Sequence, residues 1–492
     1  MNDLDVIVVG AGTAGCVLAS RLAESAACRI ALIEAGSLTF PGDNADRLAR
    51  LRPASWLAQL GGSDDWDYLT ESSPGLAARK LRWPRGRGIG GSSRINAMIY
   101  FPVHQDDLEV LSEVHGLQSI AQRVKRASSW VERTVNPVRP TWISEATRRL
   151  LDASKAFDFT LAPYRRFNRN GQRWTPADLV ERHASIRRVR GQVDQVLFRG
   201  DEASGVKLSD GRRLIARTVV LTGGTIQSPA ILMRSGVGNR AQLERLGIPV
   251  RHDCPDVGQQ LKDHLIMPVI YGLDTADRFR ETFSMRELAQ WQVGQTGRLT
   301  CNLAEAGGLI EDRTWQLHIT PTHYLLHPSP RAPAAMTIGV NVTRPSSRGR
   351  LSLKSSDPDV APKLEPNYLS EPKDVAKTVD GIARVRELIG QCRRQTGMDG
   401  WLGDELLPGP KRIDPESLQR AVSRYAQTLY HPVGTCRMGV DSASVVDADF
   451  AVRGVGGLHV VDASVLPEIT LGNPSVMVMS LAHAAAETIN SA

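Results

Sequence analysis

The chain has 492 residues, 41% of them apolar and 23% charged, with a formal net charge of +7. That length can bury a large core and excludes a small module stapled by disulfides, and the composition is that of a globular protein of a few domains. The charge excess is thin and forms no long basic run, so nothing points to nucleic acid, and no stretch approaches the ~18 apolar residues that a membrane helix needs.

In chain order, Asp5–Val9 is a short β-branched run ended by glycine, the pattern of a buried parallel strand. Thr13 to about Ser25 reads as a helix with Val17, Leu18 and Leu22 on one face, and Arg29–Ile33 reads as a second buried strand, which completes a βαβ unit. The stretch 106–182 is polar, with a helical patch at Ser144–Phe157. Val193–Phe198 and Gly205–Leu208, with a turn at Asp210–Gly211, read as an antiparallel meander. Thr218–Thr222 is a further buried strand, and Trp315–Thr320 and Met336–Val342 are strand-like. Lys373–Gln395 is helical, Leu458–Asp462 is a strand, and Val476–Ile489 is an apolar helix. Strand–turn–helix signals therefore recur near 1–25, 218–236 and 458–489, which predicts one α/β domain built from separated stretches.

Cys16, Cys28, Cys254, Cys301, Cys392 and Cys436 have no CxxC spacing. That argues against a structural zinc site and fits the reduced thiols of a cytoplasmic protein. No secretion signal is expected from the first residues, which lack a basic stretch followed by an apolar run. No metal site is expected.

Gly10-Ala11-Gly12-Thr13-Ala14-Gly15 is a GxGxxG turn between the first strand and its helix. Gly10 permits the tight turn, Gly12 lets backbone approach a pyrophosphate, and Gly15 allows close helix–strand packing. The helix N-terminus, at Thr13 and Ala14, then faces the phosphates with free N–H groups. Glu34 ends the second strand nineteen residues beyond Gly15, where a carboxylate accepts hydrogen bonds from ribose hydroxyls. The motif predicts a dinucleotide and does not separate FAD from NAD.

Pro84-Arg85-Gly86-Arg87-Gly88-Ile89-Gly90-Gly91-Ser92-Ser93-Arg94-Ile95-Asn96 resembles the first signature of the glucose–methanol–choline (GMC) oxidoreductases. Leu221–Pro229 with Ser235–Gly238 resembles the second. Val257–His264, Arg344–Gly349, His431–Gly439 and Gly472-Asn473-Pro474 are similar to further family motifs, in the family's order over nearly the whole chain. The resemblance implies a Rossmann-like FAD-binding domain assembled from 1–102, 183–265 and 440–492. It also implies a substrate-binding domain and lid, with an antiparallel sheet and helices, from 103–182 and 266–439. FAD would lie along Arg85, Gly90, Gly91, Ser92, Asn96, Ala97 and Met98, with Val193 at the adenine, Asp462 reaching the ribityl or pyrophosphate region, and Ala463, Asn473 and Pro474 as further contacts. Ser92 also suits a plain turn, and Asp462 a helix cap. Ile95 stands where some members attach FAD through histidine, so noncovalent FAD is expected.

By the same resemblance, His431 is the general base and Asn473 orients the substrate and donates to its oxygen. The reaction implied is oxidation of a small primary or secondary alcohol, with oxygen or another electron acceptor taking the electrons. A non-redox flavoprotein of the same fold, acting as a hydroxynitrile lyase or light-driven decarboxylase, is the alternative. His264 is expected to anchor a turn. His104, His318, His323 and His327 are expected on surfaces or loops, with one of the last three a candidate for the pocket. Residues 97–107 depart from the family pattern, and the stretch 103–150, which would help to cover the flavin, is short.

Overall fold

The computed structural model describes residues 4–25, 28–42, 47–155, 157, 159–274, 283–396 and 401–489. Two sheets organise it. In the first, the Leu4–Val9 strand lies between Ile30–Glu34 and Arg213–Leu221, parallel to both. Val9 sits opposite Ile33 on one side and Leu221 on the other, and all five residues of Ile30–Glu34 are buried. This is the two-sided burial that a short β-branched run predicts. The Arg213–Leu221 strand forks. Its first residues pair with the Glu202–Leu208 and Val193–Arg199 meander, and its last three run parallel to Leu458–Val460.

The helix Thr13–Leu22 crosses between the first two strands with Val17, Leu18 and Leu22 fully buried. It ends three residues before the sequence expectation. The Ser475–Ile489 helix packs against it and against Gln118–Val135. The Arg187–Arg190 strand, which pairs parallel to Ile30–Glu34, gives no strand signal in the sequence. It is a sheet edge where only Val189 of Arg-Arg-Val-Arg is buried.

The second sheet runs Leu402–Leu407, Leu265–Leu273, Ala335–Val342, Trp315–Thr320, Ala306–Ile310, Ala162–Pro163, all antiparallel. Every residue of Trp315–Thr320 and Ala335–Val342 is buried. One face meets the Pro372–Thr396 helix, where the Trp315 indole donates to the Lys377 carbonyl at 2.8 Å. The opposite face carries His318, Thr320, Thr337 and Gly339 and borders a large cavity. No described helix is long and apolar enough to cross a membrane.

Residues 103–150 contribute no described residue to the cavity wall. The Gln118–Val135 helix instead buries Ile120, Val124 and Val131 and docks on the C-terminal helix, where Arg123 donates to the Ala448 carbonyl. Near the short turns Pro53–Ser55 and Leu57–Gln59, Trp56 between them, Leu57 and Leu60 line the cavity. The Trp56 indole is tied to the Asn302 carbonyl at 2.8 Å.

The turn at 10–12 and the stretch 86–91 meet backbone to backbone. Gly90 N–H donates to the Ala11 carbonyl at 2.7 Å, and a Cβ on Gly91 (φ +54°) would lie 2.6 Å from Gly12 Cα. Gly91→Ala is expected to cost about 1–3 kcal/mol from overpacking on top of its left-handed conformation. Gly211→Ala, at φ +89° with open space around it, is expected to cost only about 1 kcal/mol. Urea unfolding of the two variants measures the difference.

Candidate active site

A cavity of about 600 Å³ runs from the GxGxxG turn to the second sheet. At its first end the Thr13–Leu22 helix begins with Gly12, which has no side chain to cap it, and its first turn holds no acid. Thr13 and Ala14 line the cavity. Their end of the helix offers unpaired N–H groups and a partial positive charge to an anion.

Glu34 is more than a ribose ligand. One carboxylate oxygen accepts from Ala11 N–H at 3.0 Å, and the other from Gly36 and Gly88 N–H at 2.9 Å each. The side chain clamps the fingerprint turn to the 86–91 stretch. Burial pushes its pKa up, and the three amides pull it back. Oε2 keeps room for a further donor, and Glu34 still borders the cavity.

Gly10, Gly12, Arg85, Gly91, Ser92, Asn96, Ala97, Met98, Val193, Asp462, Ala463, Asn473 and Pro474 all line this cavity, as does His431. Gly15 and Gly90 do not. A Cβ on Gly15 would lie 1.9 Å from the Gly10 carbonyl oxygen, so it serves helix packing, while Gly90 takes a left-handed turn (φ +93°). Ser92 Oγ accepts from Gly86 N–H at 3.2 Å, the turn role, from a position on the wall. Asp462 accepts from Ser464 N–H, Gly224 N–H and the Ser228 hydroxyl, so it caps two helical turns at the cavity edge. Arg85 sends its side chain toward the far end and donates to the Tyr430 carbonyl at 2.7 Å.

That contact helps to hold the turn that presents His431. Asp263 accepts from His431 N–H at 2.7 Å, from the Thr428 hydroxyl at 2.6 Å and from the Tyr368 hydroxyl. Tyr430 between them has φ +66°, a conformation that persists only where its surroundings over-determine it. Burial pushes Asp263 up to about 6.

The His431 imidazole lies between two partners. Nδ1 is 3.0 Å from His264 Nδ1, and Nε2 is 3.0 Å from Asn473 Nδ2. The tautomers follow from one fixed acceptor. His264 Nε2 is 2.8 Å from the Thr343 carbonyl, which can only accept, so Nε2 carries the proton. Burial holds His264 neutral, at about 4, so its Nδ1 is bare. His431 Nδ1–H then donates to it, and His431 Nε2 is left as a lone pair facing Asn473 and the cavity. His264 is therefore not a mere turn anchor: it sets which nitrogen of His431 can take a proton. Burial, then His264, His318 and Arg85, push His431 well below its ordinary value.

Two of the three candidate pocket histidines, His318 and His327, line the cavity; His327 lies in a loop as expected, whereas His318 is a strand residue, held neutral at about 3 by burial. Thr320, Thr322, Tyr324 and Thr337 join them on the wall. These residues come from one face of the second sheet and the loop after it. Only their alternation along 315–320 and 335–342 could have marked them, and full burial of both faces hides that signal. The carboxylates among the described lining residues are Glu34 and Asp462.

A glycine cradle at a helix N-terminus, continuous with a buried imidazole–amide pair, is a site built to bring a dinucleotide to a proton acceptor. That defines a nucleotide-dependent oxidoreductase. The chain belongs to the GMC oxidoreductase family, whose profiles match residues 4–173, 172–266 and 345–482. It is 31% identical to an alcohol dehydrogenase [acceptor] of Pseudomonas putida over 99% of this chain and 95% of the relative. It is 33% identical to an oxygen-dependent choline dehydrogenase of Paraburkholderia xenovorans, over 99% and 94%. Among solved structures, pyridoxine 4-oxidase from Mesorbium loti superposes with a TM-score of 0.84 at 26% identity, covering 98% of each chain. The family is one of FAD-dependent oxidoreductases acting on CH–OH groups. The cavity fits that cofactor: its volume, its unpaired helix amides and the close backbone approach at Gly12 and Gly91 suit a large anionic dinucleotide.

Glu34→Gln replaces an acceptor by a donor facing backbone N–H groups. It is expected to cost about 1–3 kcal/mol in chemical denaturation and to weaken FAD retention in gel filtration.

Proposed function

We propose that the protein oxidises a small primary or secondary alcohol to the aldehyde or ketone, with noncovalently bound FAD and His431 as general base. The observation that carries this reading is the lone pair on His431 Nε2, fixed by His264 and facing the Asn473 amide at 3.0 Å. When bound, FAD supplies a hydride acceptor at N5. A substrate hydroxyl that sits against both side chains and replaces their direct contact would give its proton to Nε2 and accept from Asn473 Nδ2, which stabilises negative charge on the oxygen. Protonated His431 keeps Nδ1–H on His264, so the gained charge is shared over a hydrogen-bonded pair. Arg85 fixes the turn and adds positive potential nearby.

Ile95, adjacent to Asn96, has no nucleophile with which to bond a flavin, which supports noncovalent binding. The first sheet and its helices, from 1–102, 183–265 and 440–492, would hold FAD, and the second sheet would face the substrate. The names of the relatives support an alcohol as reductant and oxygen or another acceptor as oxidant. Six free cysteines support a cytoplasmic setting.

His431→Ala is expected to lower the rate of flavin reduction by an alcohol by about 10²–10⁴-fold, with FAD content unchanged. Asn473→Ala is expected to cost about 10²-fold, and His264→Ala about 10–100-fold through loss of orientation. Stopped-flow absorbance at the flavin band measures all three, and wild-type rates in His431→Ala would overturn the assignment.

The base works only when neutral, so activity falls as pH drops through its pKa. Because burial lowers that value, kcat/KM is expected to stay flat from about pH 8 down to about 6.5 and to fall only below it. An acid limb centred above pH 7 would contradict the assigned base.

A further inference from the structure

Arg173 is a buried cation with no carboxylate partner among the described residues. Only 4% of it is exposed. Its Nη1 donates to the Ser93 carbonyl and to Asn96 Oδ1, both at 2.9 Å, and Nε donates to the Arg50 carbonyl at 3.3 Å. Nη2 has no partner. No described carboxylate forms an ion pair with it, and the buried carboxylate nearby, Asp64, is shared by Arg50 at 2.7 Å and Arg94 at 2.8 Å. Burial and the Arg94 charge bring its pKa down to about 9. An unpaired buried charge is costly, and hydrogen bonds to neutral carbonyls offset only part of that cost.

Its contacts point to what it serves. Asn96 Oδ1 accepts from Arg173 and from Met98 N–H at 3.0 Å, which uses both lone pairs. The Asn96 amide is thereby oriented, leaving Nδ2 as its free, donating end. Ser93, Asn96, Ala97 and Met98 line the cavity. The same stretch meets the second sheet's side, where Asn302 donates to the Ala97 carbonyl and its neighbours Leu303 and Ala304 line the cavity. Arg173 thus stands one residue behind the cavity wall, between the GxGxxG end and the His431 end.

We propose that Arg173 is a positioning residue for the flavin: it orients the Asn96 amide, and its uncompensated charge favours the reduced cofactor. Reduction adds two electrons and one proton to the neutral oxidised ring at neutral pH and leaves one negative charge on it. That charge is what the buried guanidinium lacks in the protein alone. The inference rests on FAD binding and is independent of the substrate, because the flavin can be reduced chemically.

The test uses the FAD-loaded protein and its Arg173→Met, Arg173→Gln and Arg173→Lys variants. Each is reduced anaerobically with dithionite against a reference dye, and the midpoint potential is read from the visible spectra. Arg173→Met and Arg173→Gln are expected to weaken binding of reduced flavin about tenfold more than binding of oxidised flavin, a drop of about 30 mV for a two-electron couple. Arg173→Gln can still donate to Asn96, so it separates charge from orientation. Arg173→Lys, which keeps the charge, is expected to keep most of the potential. Loss of FAD from both neutral variants while Arg173→Lys stays loaded also supports a charge role. Loaded neutral variants with the wild-type potential would overturn the proposal, as would equal shifts in the lysine and neutral variants.

Discussion

Two glycine-rich segments from different parts of the chain touch through their backbones, and the rest of the site is arranged around that contact. The turn at 10–12 and the stretch 86–91 approach so closely that a Cβ at Gly91 would collide with Gly12, and the 86–91 stretch is itself folded so tightly that a Cβ at Gly86 would lie 2.0 Å from the Gly91 carbonyl oxygen. Glu34 bonds to amides of both segments and locks them together. The contact leaves backbone, not side chains, facing the cavity along this wall. A dinucleotide can then lie flat against peptide groups while the helix N-terminus meets its charge. The 86–91 stretch also leads directly into Asn96, so the same contact sets the wall that Arg173 backs.

The other end is built on a different economy, with buried polar side chains in place of bare backbone. One carbonyl, that of Thr343, decides the protonation of His264 and through it that of His431. One carboxylate, Asp263, holds the backbone of the turn that carries His431. Neither group needs to touch a substrate. Each narrows the choices open to one imidazole, so that its remaining lone pair faces the cavity. Burial first, and then the nearby His264, His318 and Arg85, keep that imidazole neutral before it is asked to take a proton.

What could be read from the sequence follows the physics of each part. The Asp5–Val9 run, its glycine turn and Glu34 are legible because a buried parallel strand, a tight turn and close backbone approach each demand particular residues in consecutive order. The fork in the Arg213–Leu221 strand is not legible, since pairing with Leu458–Val460 joins segments more than two hundred residues apart. The edge strand Arg187–Arg190 hides behind its arginines. The lining of the second sheet is obscured because both faces of 315–320 and 335–342 are buried, which erases the alternation that marks a half-exposed strand. His264 was visible as a motif residue, but its partner Thr343 lies 79 residues away, and only the fold brings the two together. The lining at 53–60 carries no motif, and Trp56 acquires its place from a backbone carbonyl on a distant loop.

The central claim is that this cavity joins a bound flavin to an alcohol through His431. Mixing the FAD-loaded protein anaerobically and in the dark with aliphatic, aryl, amino and sugar alcohols tests it most directly, with the visible flavin band as readout. The account predicts that at least one class bleaches the band without light. A fully loaded flavin that no alcohol in the panel bleaches would contradict it.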